Sequence, residues 1–111
     1  MSKQYQPRWL NESCPGWCAG EHCEGDHVDD RRHQSEMTTV PVMVHTTRWE
    51  QGSSDPIRMT GCEELTVVAF RYIDSTETWI AVASDTQHLE LSVGSARRLF
   101  AAVQLLLARV V

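Results

Sequence analysis

Large aliphatic side chains are scarce at the front of this chain. Of its 111 residues, the first 36 contain only Leu10 and Val28 of that kind, with Tyr5, Trp9 and Trp17 as the aromatics. Such a segment cannot bury a core, so it stays mobile unless something staples it. A basic stripe is also lacking: ten Lys and Arg stand against fifteen acids, for a net charge of −5. The deficit is spread along the chain, with four bases against seven acids in residues 1–36 and six against eight in the remainder. Nucleic acid is therefore disfavoured as a partner, because non-specific phosphate binding needs clustered Lys and Arg. Only Arg31-Arg32 speaks for it.

Long apolar runs are absent as well. The C-terminal run Leu105–Ala108 is broken by Arg109, and nothing approaches the ~18–20 residues that span a bilayer. The opening MSKQYQPRWLNES has no apolar stretch of the ~7–15 residues found in secretory signals, so a cytoplasmic location and no membrane contact are expected. Catalytic signatures are missing too: there is no glycine-rich phosphate loop and no H-x-E with a P-C-x-x-C partner. A Cys62 nucleophile served by His45 or His88 would need a scaffold that nothing here signals. The chain is not expected to be an enzyme.

What the front segment does have is metal-binding side chains. Three of the four cysteines and three of the five histidines lie between positions 14 and 33: Cys14, Cys18, His22, Cys23, His27 and His33. In a reducing compartment such clustering favours metal over disulfide. Zinc takes four sulfur or nitrogen ligands in a tetrahedron, and close spacing lets one loop supply several. Cys14-x3-Cys18-x3-His22 supplies three, and His33, His27 or Cys23 (in place of His22) completes the set. Adjacent His22 and Cys23 seldom both point inward, and His22 continues the four-residue step, which favours Cys14, Cys18, His22 and His33 and leaves Cys23 and His27 as alternatives. Glu21, Glu24 and Asp26 are close enough to assist a metal, but read as solvated loop acids. Trp17, between two cysteines, is expected to roof the site.

The run Cys14-Pro15-Gly16-Trp17-Cys18, with His22, Asp26 and His33-Gln34-Ser35, resembles an uncharacterised family of small actinobacterial proteins. Its pattern is C-P-x-W-C-x3-H, an acid and a later H-x-S, followed by β-rich sequence and a C-terminal helix. The resemblance implies Cys14, Cys18, His22 and His33 as the matched positions, and implies no activity.

After residue 36 the texture changes. The β-branched run Thr38–Thr47 predicts a strand ending near Trp49, with Pro41 suited to an edge. Residues 50–61 read as a loop, from Gly52, Ser53, Ser54, Asp55-Pro56 and Gly61. Leu65–Tyr72, Trp79–Ala83 and His88–Leu91 are further strand candidates, separated by Asp74-Ser75-Thr76 and Ser84-Asp85-Thr86. Ser92 then stands as the N-cap of a helix in which Ala96, Leu99, Phe100, Val103, Leu106, Leu107 and Val110 recur at 3-and-4 spacing.

The expected fold is α+β: an N-terminal zinc-binding knob (1–36), then a three- to four-stranded antiparallel sheet packed by one C-terminal helix (37–111). The helix is expected to lie across the sheet with its stripe against the core. Leu105, Ala108 and Val111 widen the apolar surface, and Leu105 and Val111 are taken as partner-binding residues, toward another protein or a second copy. The sequence thus reads as a small zinc protein acting as an interaction or regulatory module.

Overall fold

The computed structural model describes residues 6–110. After an irregular knob and a short 3-10 turn (Val28–Asp30) come five strands and one helix: β1 (Arg32–Gln34), β2 (Thr38–Arg48), β3 (Ile57–Tyr72), β4 (Trp79–Ala83), β5 (His88–Ser92) and α1 (Val93–Arg109). All strand pairings are antiparallel. The expected α+β architecture is present, with one strand more than the sequence disclosed.

β3 is the spine of the sheet. Along one edge it pairs with β4, and β5 follows outside β4. Along the other edge it pairs first with β2 and then with β1, since Thr66 faces both Thr39 and Ala83, and Phe70 faces both Gln34 and Trp79. β1 and β2 are thus two parts of one edge, joined through a bulge. Between the Gln34↔Phe70 and Thr38↔Val67 pairs, three residues on that edge face two on β3. Ser35 holds the bulge: its backbone N–H donates to Ala69 O at 2.9 Å, and its Oγ accepts from Ala69 N at 2.9 Å. The expected boundary at residue 36 falls inside this bulge, so the last residues of the Cys/His segment are hydrogen-bonded into the sheet.

β3 begins at Ile57, inside the stretch expected to be loop. The β2–β3 hairpin continues in unbroken register to Arg48↔Ile57, and its turn lies at 49–56, where Gly52 takes φ +85°. The distal hairpin buries little on either face, which is why burial periodicity gave no sign of it. Pro41 lies on an edge strand, where its missing N–H is tolerated.

α1 starts as expected, with the Ser92 Oγ accepting from Ser95 N at 3.2 Å. Its first turns rest on β4 and β5, with Val93, Ser95 and Ala96 half-buried. From Arg97 to Val110 every residue is exposed. The helix therefore packs by its N-terminal end, and the stripe expected to face the core is open: Leu106 is 58% and Val110 75% exposed. Leu105 is exposed as well, and Val111 lies outside the described residues.

Among the described residues the buried hydrophobics are Leu10, Phe70 and Ala81, with Pro7 and His33 also enclosed. The enclosed region is where the knob meets β1 and β3. Among the described residues, no helix is long and apolar enough to cross a membrane.

Candidate metal centre

Two turns and one strand bring the site together. Cys18 N donates to Pro15 O at 3.0 Å, closing the Cys14–Cys18 loop into a turn. Gly20 then adopts φ +76°, a conformation that suits glycine, and this reverses the chain so that His22 N reaches Gly20 O at 3.0 Å. Ala19 N donates to Gln34 O at 2.8 Å, which docks the turn beside β1 and its His33. The Ser35 clamp on Ala69 fixes β1 in turn, so the serine of His33-Gln34-Ser35 has a structural task one residue pair from the site.

The outcome is a four-donor cluster. One ligand atom from each of Cys14, Cys18, His22 and His33 lies within 4.8 Å of the others. His22 Nε2 is 3.4 Å from Cys14 Sγ and 3.5 Å from Cys18 Sγ. A tetrahedral ion with sulfur at about 2.3 Å and nitrogen at about 2.0–2.1 Å has S···N edges of about 3.6 Å, so these separations suit a metal at the centre. Gly20 N, 3.4 Å from Cys18 Sγ, adds an N–H donor to that sulfur.

His33 supplies an independent observation. It is fully buried, and neither ring nitrogen makes a hydrogen bond. Its Nε2 stands 3.3 Å from Glu12 Oε2, near in distance but outside hydrogen-bonding geometry. A buried imidazole with two unsatisfied nitrogens is costly unless an ion takes one of them. One His33 ring nitrogen counts among the four donors, and Glu12 stands beside the ring where a carboxylate commonly supports a metal-bound histidine.

Glu12 is the functional residue that the sequence did not disclose. Its Oε1 accepts from Asp74 N at 2.8 Å, and its Oε2 is 3.5 Å from Arg71 Nη2. Asp74 offers that N–H from a turn with φ +65°. The Asp74 hydrogen bond, with smaller help from His33 and Arg71, holds the Glu12 carboxyl below its ordinary pKa of 4.5 despite some desolvation. No local signal marks Glu12, because its partner Asp74 is 62 residues away.

Other electrostatics follow from burial. Desolvation, and then His33 nearby, lowers the His22 pKa below 6.5, which favours the neutral ligand form. Desolvation raises the Cys14 thiol above its ordinary 9.0, with Cys18 adding to the effect, so metal uptake must expel that proton.

Trp9 stands edge-on to His22 at 5.4 Å, and its Nε1 donates to Cys23 O at 2.9 Å. Trp9 is thus an indole against the site, while Trp17 is 37% exposed. Cys23 and His27 stay outside the cluster. Cys23 N donates to Asp26 Oδ2 at 3.0 Å, and His27 caps the 3-10 turn by accepting from Asp29 N at 3.2 Å. These contacts also employ Asp26, and Glu24 accepts from Arg8 N at 2.7 Å.

A comparison with known families covers nearly all of this architecture. The chain belongs to DUF6907, a domain of unknown function, matched over residues 4–111. Both the four-donor cluster and α1 fall inside the matched span. No curated protein and no solved structure matches the chain.

Proposed function

We propose that this DUF6907 protein is a small cytoplasmic zinc protein whose metal is structural and whose action is to bind protein, as an interaction or regulatory module and not as an enzyme. Two thiolates and two imidazoles at tetrahedral spacing are the donor set that selects zinc over harder cations. Four protein ligands leave no open coordination position for substrate or water, which catalysis by zinc would require. The C-P-x-W-C-x3-H and H-x-S elements read as the signature of this site, three ligands from the turn and one from β1.

The observation that carries the interaction reading is α1, exposed from Arg97 to Val110 with its apolar stripe uncovered. The arginine pair that would favour nucleic acid is engaged within the fold. Arg31 lies 5.6 Å over the Trp9 ring and donates to Asp26 O, while Arg32 lies 4.7 Å over Phe70 and donates to Gln34. The test combines metal analysis of purified protein with binding by α1 variants. One zinc per chain is expected, together with partner binding that Leu105→Glu or Leu106→Glu abolishes without changing zinc content. Binding that instead follows Arg31→Ala and Arg32→Ala, and falls steeply with salt, would overturn the reading.

A further inference from the structure

Both thiols of the metal centre come from one open turn. Cys14 and Cys18 are four residues apart, and their sulfurs lie within 4.8 Å of each other. Cys14 is exposed and Cys18 half-buried, and a side chain added at Gly16, midway between them, would meet nothing within 4 Å. A disulfide holds its sulfurs about 2.05 Å apart, so this pair closes by a movement of under about 3 Å. The middle of the loop has open space in which to make it.

The two sulfurs differ in reactivity. Gly20 N donates to Cys18 Sγ at 3.4 Å, which stabilises negative charge there and lowers its nucleophilicity. Cys14, on the open side, is the sulfur that a small oxidant meets first. Cys23 and Cys62 are exposed as well, but neither belongs to the cluster.

Little besides the ligands holds the knob in place. Of residues 6–31, Pro7 and Leu10 alone are buried. With the two sulfurs bonded to each other, His22 and His33 are two donors where a closed zinc site has four, and a disulfide sulfur is no longer a thiolate. His33, buried on β1 with no hydrogen bond to either ring nitrogen, then loses the one partner that offsets its burial.

We propose that Cys14 and Cys18 are a redox switch for a peroxide, closing reversibly into a disulfide that gives up the ion and frees the knob from β1. The Cys14 thiolate attacks one peroxide oxygen; the S–O bond forms as the O–O bond breaks, and hydroxide departs with the electron pair. The Cys18 thiolate then attacks the sulfenic sulfur of Cys14, forming the S–S bond and expelling a second hydroxide. The thiolates lose two electrons, the peroxide gains two, and two protons from solvent convert both hydroxides to water. A dithiol reverses the step by exchange, restoring the thiolates as it becomes a disulfide itself. In a reducing compartment such a bond is a transient signal. The inference rests on the metal reading above and adds a regulation of that site.

The experiment treats the full, zinc-loaded chain carrying Cys23→Ser and Cys62→Ser with hydrogen peroxide, beside wild type. Released zinc is read with a chromogenic indicator, and the Trp9–Arg31 tryptic peptide, which holds Cys14 and Cys18, is weighed. Full release of the bound zinc is expected, with that peptide about 2 Da lighter and hydrogen-exchange protection lost over residues 6–31. Dithiothreitol with added zinc is expected to restore all three. Reduced protein that holds no zinc overturns the metal reading and this inference with it. Zinc that is held when reduced and still held at about tenfold excess of peroxide overturns the switch alone. So does release accompanied by sulfinic acid that dithiothreitol does not reverse. A wild-type disulfide that joins Cys23 or Cys62 overturns the assigned pair.

Discussion

The knob and the helix solve opposite problems. The knob, from Gln6 to Arg31, has almost no apolar material, yet hydrogen bonds and four converging ligands define it closely. α1 is rich in Leu, Val and Phe, yet from Arg97 onward each of its described residues is exposed. Order here follows partners and not hydrophobicity. A few directional donors around one ion can substitute for a core, whereas an apolar stripe does nothing until a complementary surface covers it.

The largest break in that comparison comes from removing the staple. Cys18→Ser or Cys14→Ser is expected to abolish metal binding, measured as metal per chain in purified protein, while Cys23→Ser and His27→Ala leave it at wild-type level. Chelation is expected to release the knob up to about Arg31 and to keep the sheet, seen as loss of hydrogen-exchange protection confined to residues 6–31. If protection collapses throughout β3 and β4 as well, knob and sheet are one cooperative unit.

Acid should act on the same region first. Each thiol gives up a proton to bind metal, so with two of them the apparent affinity is expected to fall about 100-fold per pH unit below neutrality. The metal-free fold changes in the same direction. His22, held below 6.5, binds fewer protons folded than unfolded, so stability falls as pH drops through that region. Glu12, held below 4.5, contributes stability that is present above 4.5 and is lost as pH falls through its folded value. Titration of metal release with a chromogenic chelator between pH 7 and 5 checks this, and affinity that is flat across the range would exclude thiolate ligation.

Two smaller effects sharpen the comparison by testing how the sheet supports the knob. Glu12→Gln removes the carboxylate beside His33 and is expected to weaken metal affinity about 10- to 100-fold, read by competition with a calibrated chelator. Ser35→Ala removes the Oγ that accepts from Ala69 N, leaving a half-buried N–H unpaired at a cost of about 1–2 kcal/mol in thermal or denaturant unfolding. Its effect on metal affinity should be milder than that of Glu12→Gln, because Ser35 positions the strand and not the imidazole itself.

Much of this was open to a reader of the sequence. Cys14, Cys18 and His22 are near neighbours, so their convergence needs only a tight turn, and Gly20 supplies it. The Ser92 cap and the strand at Trp79–Ala83 are local signals too. β1 was invisible because a three-residue strand has no period to detect, and its pairing depends on Phe70–Tyr72 nearly forty residues on. Glu12 was missed for the same reason.

The sequence by itself determined which residues can ligate, cap and line a helical stripe, because those properties belong to side-chain chemistry and to spacing within a few residues. Tertiary structure alone decided that His33 is buried without a hydrogen bond, that Glu12 stands beside it, and that the α1 stripe faces outward. Each of these depends on segments far apart in the chain meeting at a particular register. Amphipathic spacing requires that a helix cover its apolar face; it does not specify whether the covering surface belongs to the same molecule.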